Sequence, residues 1–169
     1  MVDSKQDAIA LLKADHRKVE ALFEQFAGAK GDGKKQMLAM QICMDLSVHA
    51  TIEEEIFYPA CEGKIDEDLL KEAYVEHDGA KVLIAEIEAG TPSDDFYDAK
   101  VKVLSEQIEH HVEEEEKRME GMFSQARRAG LDMDALGEQL AQRQAELTAR
   151  YKVSGLPKPE TTTLAEVTV

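Results

Sequence analysis

The stretch HATIEEEIFYPA (49–60) places His49 and Glu53 one helical turn apart, a spacing that puts both side chains on one face of an α-helix. The apolar stripe on that face runs through Leu38, Ile42, either Asp45 or Leu46, Ile56 and Ala60. A buried carboxylate without a partner is strongly disfavoured, so this pair needs a compensating charge. The stretch therefore predicts an amphipathic helix whose buried face carries candidate metal ligands.

A second histidine–glutamate pair lies in the stretch EHHVEEEEKRMEGMF (109–123). The apolar stripe of this segment runs through Leu104, Ile108, Met119, Met122 and Ala126. His111 and Glu115 continue that stripe, whereas the rival pair, His110 and Glu114, lies about 100° away around the helix. We therefore predict that His111 and Glu115 face the core and that His110 faces a helix edge or solvent. This spacing alone is weak evidence, because runs of glutamate usually form solvated faces.

Most glycine and proline residues lie in short intervals that divide the chain into segments of helical length. The predicted helices span about 4–27, 34–60, 66–89, 93–129 and 132–151. No segment shows the sustained alternation that is typical of a β-strand. We therefore expect an all-α fold, an up-down four-helix bundle with an additional C-terminal helix.

One histidine occupies the middle of each of the first four predicted helices. These histidines are His16, His49, His77 and His111. They are separated by 33, 28 and 34 residues, about one helix plus one loop each time. Successive helices of an up-down bundle run antiparallel, so residues at mid-helix meet at one level. The four imidazoles are expected to converge.

The chain is expected to form one domain over residues 1–151, with a metal-binding core at about 8–128 and the extra helix at about 132–151. The candidate N-cap residues are Ser4, Asp66, Ser93 and Asp132. The last helix is expected to pack against the bundle, with another copy of the chain as the alternative. Residues 152–169 contain two prolines and a threonine cluster without helical periodicity, which favours a flexible tail.

The composition is acidic: 35 acidic and 20 basic residues in a chain of 169 give a formal net charge of −15. Nucleic acids and anionic membranes would be repelled, whereas small cations would be attracted. Neither an apolar run of about 18 residues nor a signal-peptide pattern is found, so a cytoplasmic protein without membrane contact is expected. Cys43 and Cys61 lack a CxxC spacing and are expected to be ordinary thiols, with a redox or ligand role for Cys61 as the alternative.

Six residues form the predicted ligand set. They are His16, His49, Glu53, His77, His111 and Glu115. Imidazole and carboxylate ligands suit iron, manganese or zinc, and the absence of thiolate ligands argues against copper(I) and iron–sulfur clusters. A lone histidine on an apolar face is more often a hydrogen-bonded core residue than a ligand. One histidine on the apolar stripe of each of four helices favours a metal site. The two carboxylates beside these histidines favour a pair of ions that the carboxylates bridge.

The chain resembles the hemerythrin-like, or HHE cation-binding, family over roughly residues 8–128. The stretches that carry the resemblance are DHRKVEALFEQF (15–26), HATIEEEIFYPA (49–60), VEHDGAKVLIAEI (75–87) and EHHVEEEEKRMEGMF (109–123). The resemblance implies the same six ligands, with Glu53 and Glu115 as bridges. It further implies an oxo- or hydroxo-bridged pair of iron ions that binds or senses a small diatomic ligand, or that handles peroxide.

The sequence departs from the family in two places. Oxygen-carrying members have an HxxxH arrangement on the third helix, whereas here the residues four before and four after His77 are Ala73 and Lys81. The position of the missing histidine is left to water, to Tyr74 or to a carboxylate. Ser124 stands where many relatives have proline, so the helix at 93–129 is expected to run without a break.

Three functions are compatible with these features. The first is a di-iron protein that binds or senses oxygen, iron, nitric oxide or redox state. The second is an enzyme that acts on peroxide or reduces nitric oxide, for which Lys81 is the nearest candidate acid or base, although a lysine on a helix edge usually extends to solvent. The third is a metal-free bundle with a polar core, which the convergence of six ligand-type residues disfavours.

Overall fold

The computed structural model describes residues 6–165, and in that range the regular structure is helical throughout. The elements are α1 (Ala8–Gly28), α2 (Asp32–Ile52), a π-helical turn (Glu53–Phe57), α3 (Tyr58–Cys61), α4 (Glu67–Ala89), α5 (Tyr97–Glu116), α6 (Met122–Arg128) and α7 (Met133–Ser154). The π-helical turn joins α2 to α3 without a gap. No helix among these residues has the length and hydropathy needed to span a membrane.

Helices α1, α2, α4 and α5 form the four-helix bundle, and α7 packs on the side made by α1 and α2. The expected all-α, up-down bundle with an additional C-terminal helix is confirmed. Leu140 and Leu147 of α7 are buried in the same cluster as Leu12 of α1, so α7 packs on its own bundle. Gly137 permits this approach, because a Cβ there would lie 2.5 Å from the carbonyl oxygen of Gln6.

The helix starts follow the predicted caps in two cases. The side chains of Asp66 and Asp132 accept hydrogen bonds from the N–H groups of Leu69 and Ala135, as N-caps do. The Ser93 prediction is wrong: α5 begins at Tyr97, and Asp94 instead closes a turn by accepting from the N–H of Thr91. Ser4 lies outside the described residues.

The predicted continuous helix at 93–129 is also wrong, because it breaks after Glu116. Met119 has a φ of 70°, and Gly121 precedes the first residue of α6. The turn is stabilised by a hydrogen bond from the N–H of Gly121 to the carbonyl of Lys117. The break redirects the chain so that Phe123 stacks on the His16 ring, with centroids 5.9 Å apart and planes at 10°. The break therefore forms with serine, and without proline, at position 124.

The bundle interior consists of two apolar clusters with a polar layer between them. One cluster contains Leu12, Ile52 and Phe123, and the other contains Val19, Leu46 and Ile108. Along α1, His16 lies between Leu12 and Val19, which belong to different clusters. The interrupted stripes of the sequence thus correspond to one layer at mid-bundle.

The segment after α7 does not leave the bundle. Leu156 packs against both apolar clusters. Farther along, the Asp78 carboxylate, which is fully buried on α4, accepts hydrogen bonds from the backbone N–H groups of Thr162, Thr163 and Leu164. These bonds outweigh the burial of Asp78 and lower its pKa. Over residues 155–164, the expected flexible tail is therefore replaced by a strap that follows a definite path to α4.

A chain that ends at Gly155 will be less stable than the full chain, because it loses the strap's bonds to Asp78 and its cover over the apolar clusters. Hydrogen bonds to a charged group contribute about 1.5–3 kcal/mol each before the ordering cost of the strap is subtracted. We expect the melting temperature, measured by calorimetry, to fall by about 5 °C. A chain that ends at Ala165 keeps these contacts and should melt like the full chain; equal melting of all three would contradict this role of the strap.

Candidate metal centre

The six predicted ligands meet in the polar layer at mid-bundle, and all of them are buried. Their exposed fractions range from 0% for Glu53 to 7% for His49. His110, in contrast, lies at the surface with 66% of its side chain exposed. The helix positions explain the difference, since His111 follows the stripe of Leu104 and Ile108 and His110 does not.

Four of the six residues form a first ligand group. His16, His49, Glu53 and Glu115 present atoms that all lie within 4.8 Å of one another. The Nε2 atoms of His16 and His49 are 3.1 Å apart. Glu53 Oε1 lies 3.1 Å from His49 Nε2, and Glu115 Oε2 lies 3.2 Å from His16 Nε2.

The second ligand group uses the other oxygen of each glutamate. Its members are Glu53, His77, His111 and Glu115. The Nε2 atoms of His77 and His111 are 3.2 Å apart, and each lies 3.1 Å from its nearer glutamate oxygen, Glu53 Oε2 or Glu115 Oε1. Each glutamate therefore faces both groups, one oxygen to each.

Tyr58 adds a fifth ligand-type atom to the second group. Its hydroxyl oxygen lies 3.0 Å from Glu53 Oε2, 2.8 Å from Glu115 Oε1 and 3.0 Å from His77 Nε2. Tyr74, the tyrosine considered from the sequence, instead lies with its ring edge-on to Tyr58, with centroids 5.2 Å apart. The phenol beside the second ligand group thus belongs to Tyr58, not to Tyr74.

The π-helical turn explains why Tyr58 reaches the site. In this turn the N–H of Tyr58 donates to the carbonyl of Glu53, a bond across five residues, so the two side chains share a face. In an α-helix, residues five apart point about 140° away from each other. The signal in the sequence is Pro59: proline cannot donate a helical hydrogen bond, and that loss favours a local change of helix type.

The distances between ligand atoms fit a bound metal pair. Ligands at about 2.1 Å from one ion and at right angles to each other are about 3.0 Å apart, close to the separations within both groups. Two buried oxygens, Glu53 Oε1 and Glu115 Oε2, accept no well-aligned hydrogen bond from the described residues, although His49 and His16 Nε2 lie 3.1 and 3.2 Å from them. Buried carboxylate oxygens without hydrogen bonds are costly, and both belong to the first group. The donor set and its unsatisfied atoms therefore fit cations better than a self-contained hydrogen-bond network.

The electrostatics of the site point the same way. Burial lowers the pKa of His111, but the carboxylates of Glu115, Glu76 and Glu53 outweigh it and raise that pKa to about 10. Burial and the nearby Glu115 raise the pKa of Glu53, but His49 and His77 outweigh them and lower it to about 2. Opposed shifts of this kind mean that the site holds negative charge on its carboxylates and attracts positive charge to its imidazoles.

Each histidine also makes a contact on its outer side, from Nδ1 to a further carboxylate. The pairs are His16 with Glu116 at 2.7 Å, His49 with Asp15 at 3.1 Å, His77 with Glu54 at 3.0 Å, and His111 with Glu76 at 3.1 Å. We call Asp15, Glu54, Glu76 and Glu116 the outer carboxylates. An ionised carboxylate only accepts, so each Nδ1 donates and Nε2 is the atom that faces the ligand groups. None of the four was predicted from the sequence: Glu54 and Glu116 lie in glutamate runs that resemble solvated faces, and Asp15 and Glu76 lie off the apolar stripes of their helices.

A cavity of about 1180 Å³ reaches the site and includes all four histidines in its lining. Its inner wall is apolar and includes Val19, Ile84 and Ile108. Its outer wall includes side chains of α7 and the strap residues Pro157 and Glu160. Lys81 also lines it, with Nζ 2.9 Å from Glu54 Oε2, so this lysine is bound to an outer carboxylate. The cavity provides a route by which a small solute can reach the imidazoles.

Comparisons with known proteins agree with this arrangement. The hemerythrin HHE cation binding domain matches residues 7–123, which contain all six predicted ligands. A crystal structure of a hemerythrin HHE cation-binding domain-containing protein from Mycobacterium kansasii superimposes with a TM-score of 0.73 at 20% identity, over 89% of this chain and 94% of that one. A protein from Nostoc sp. strain PCC 7120 described as a DNA nickase is 32% identical over 109 residues, 64% of this chain and 31% of that protein. The chain thus spans about a third of that relative's length. Since the family match covers well over half of its residues, the chain belongs to the hemerythrin HHE cation-binding domain family.

Proposed function

We propose that the chain holds two iron ions, bridged by Glu53 and Glu115, and uses them to bind or sense a small ligand or redox state. The observation that carries the proposal is the sharing of both glutamates: each offers one oxygen to His16 or His49 and the other to His77 or His111. Carboxylates in this position hold two cations together. Manganese and zinc accept the same donors and are the competing metals.

The two ligand groups are unequal, which suggests where a small ligand enters. The first group has two imidazoles and two carboxylate oxygens, whereas the second has the Tyr58 oxygen in addition. An ion in the first group would therefore have fewer protein ligands. The cavity is lined by all four histidines, so it reaches this group as well as the second. Oxygen, nitric oxide and peroxide are small enough to use this route.

A second candidate function is an enzyme that acts on peroxide or reduces nitric oxide, and Tyr58 favours it. A bound iron pair supplies two electrons through its iron(II)/iron(III) couple. Burial and the carboxylates of Glu115 and Glu53 raise the pKa of Tyr58, so in the metal-free protein it is a neutral phenol that donates to these glutamates. If a bound iron ion displaced that proton, the phenolate would add negative charge that a neutral imidazole does not carry, which would favour iron(III) and disfavour the reversible uptake expected of an oxygen carrier. The described contacts of Lys81 are to Glu54 and Asp78, so they give it no separate acid–base role at the ligand groups.

The experiment that tests the proposal is anaerobic reconstitution with iron(II), desalting and exposure to air. We expect two iron ions per chain and an oxo-to-iron charge-transfer absorption. Loading the same protein with manganese or zinc measures how many ions of each competing metal one chain binds. Fewer than two ions per chain and no such band would reject the di-iron proposal. Steady release of oxygen from added peroxide, absent in His111→Ala, would select the enzyme over the binding protein.

The net charge and the thiols support proposals for the cellular location and the partners of the protein. We propose a cytoplasmic location, since Cys43 and Cys61 are free, buried thiols suited to a reducing compartment. The net charge of −15 opposes binding to a nucleic-acid backbone, so we propose small ligands as the partners.

A further inference from the structure

The outer carboxylates form a closed ring around the bundle. The α1 histidine, His16, donates to Glu116 of α5, and the α2 histidine, His49, donates to Asp15 of α1. The ring continues as His77 of α4 donates to Glu54 of the π-helical turn. It closes as His111 of α5 donates to Glu76 of α4. Each of the four bundle helices thus points one imidazole toward the ligand groups. A carboxylate of a neighbouring element accepts a hydrogen bond from the Nδ1 atom of that imidazole.

The ring corresponds to two short patterns that each occur twice. In α1 and α4 a carboxylate immediately precedes the histidine, as Asp15–His16 and Glu76–His77. The pattern HxxxEE begins at His49 of α2 and ends in the π-helical turn, and it occurs again at the end of α5. In both copies the first glutamate faces the ligand groups and the second belongs to the ring. Residues one or five positions from the histidine lie about 100° or 140° around an α-helix from it, so they point toward a neighbouring helix. The glutamate runs 53–55 and 113–116, which resemble solvated faces, therefore supply two predicted ligands, Glu53 and Glu115, and two of the outer carboxylates, Glu54 and Glu116.

Each outer carboxylate is in turn held from its solvent side. Arg17 donates to both oxygens of Glu116 at 2.9 Å, and Lys81 donates to Glu54 at 2.9 Å. Gln144 of α7 donates to Asp15 at 2.8 Å, and His110 approaches Glu76 to 3.6 Å. These contacts fix the carboxylates as well as the imidazoles. Gln144 also connects α7 to the ring.

We propose that the outer carboxylates are positioning residues that aim each Nε2 at the metal pair and, by their charge, stabilise its oxidised state. This inference rests on the proposed function. A carboxylate that accepts from Nδ1–H fixes the tautomer and makes the imidazole a stronger donor. With Glu53 and Glu115, the ring surrounds the site with six carboxylates. Among the described residues, only Glu116 and Glu54 of these six are paired with a lysine or arginine. Negative charge at this distance favours the more highly charged ions in a buried site.

The test compares two substitutions at one ring position. Glu76→Gln keeps an oxygen that can accept from His111 Nδ1 but removes the charge, whereas Glu76→Ala removes both. We expect Glu76→Gln to retain two iron ions per chain. The reduction potential of the iron pair, followed by the charge-transfer band, should shift upward. We expect Glu76→Ala to bind iron about 10–100-fold more weakly. Asp15→Asn, at a ring position beside the first ligand group, should repeat the upward shift.

The control is Glu72→Gln, an exposed position one turn earlier on α4. It should leave both iron content and potential unchanged. The measurements are iron content after desalting and a spectroelectrochemical titration of wild type and variants. Wild type without iron would reject the proposed function itself. Wild type with two irons, together with unchanged potentials in Glu76→Gln and Asp15→Asn, would overturn only the role of the ring.

Discussion

Replacing Glu53 by alanine will remove both metal ions from the protein, not one. Glu53 is fully buried, and its two oxygens lie 3.1 Å from His49 Nε2 and from His77 Nε2, in different ligand groups. Loss of this side chain therefore takes one ligand from each ion and one bridge from the pair. We expect the iron content after anaerobic loading and desalting to fall from two per chain to well below one.

The matched control is Glu55→Ala, in the same π-helical turn. Glu55 is exposed and pairs with Arg143 of α7, so its loss should leave two ions per chain. Circular dichroism of each metal-free variant separates loss of metal from loss of fold. Retention of one ion per chain in a folded Glu53→Ala protein would show that the two ligand groups bind independently.

The sequence was sufficient to predict the bundle and the set of residues that meet at its centre. The apolar stripe of the sequence predicted that His111 and Glu115, rather than His110 and Glu114, face the core. In the structure His111 and Glu115 are buried, while His110 is exposed. This succeeds because a residue's helical phase relative to an apolar stripe is a local property. The ends of the elements were harder to predict. The break after Glu116 is formed by Met119, with a φ of 70°, and by Gly121, where a Cβ would clash with the carbonyl oxygen of Lys117. It brings Phe123 to His16, a contact between distant parts of the chain that helical phase does not describe.

Tyr58 could not be found by the same reasoning, because an α-helical phase places it away from Glu53. Its position depends on one bond across five residues in the π-helical turn, which a 3.6-residue period does not describe. The outer carboxylates were missed for a related reason. Phase alone puts Glu54 and Glu116 off the core stripe, and only the neighbouring helix turns that surface into the interface where His77 and His16 donate to them.

The strap shows the limit of composition as a guide. Its prolines and threonines give no helical period, and the sequence was therefore expected to form a flexible tail. The structure nevertheless brings three backbone N–H groups of residues 162–164 to one buried carboxylate. Asp78 lies on α4 beside a predicted ligand, and nothing in the local sequence of the strap indicates that partner.

The stability of the protein will depend on pH in opposite ways with and without metal. In the metal-free protein the pKa values of His16, His49 and His111 are raised by neighbouring carboxylates, against the effect of burial. A raised pKa stabilises the folded state below the unfolded value of 6.5, and this stabilisation is lost as the pH rises toward the folded value, about 10 for His111. Glu53, whose pKa is lowered from 4.5 to about 2, stabilises above 4.5 and loses its effect as the pH falls toward 2. The metal-free protein should therefore be most stable between about pH 4.5 and 6.5.

Metal binding has the reverse dependence above that range, because an ion and a proton compete for the same Nε2 atom. If the three histidines with raised pKa each release a proton, the apparent affinity for the pair rises by up to about a thousandfold per pH unit. Calorimetry at pH 5, 6.5 and 8, with iron(II) under argon or with chelator, measures both effects. We expect the melting temperature of the metal-free protein to fall from pH 6.5 to 8, while the increment given by iron grows over the same interval. An increment that stays constant or shrinks as the pH rises would mean that the ions do not displace protons from these imidazoles, which would contradict this prediction.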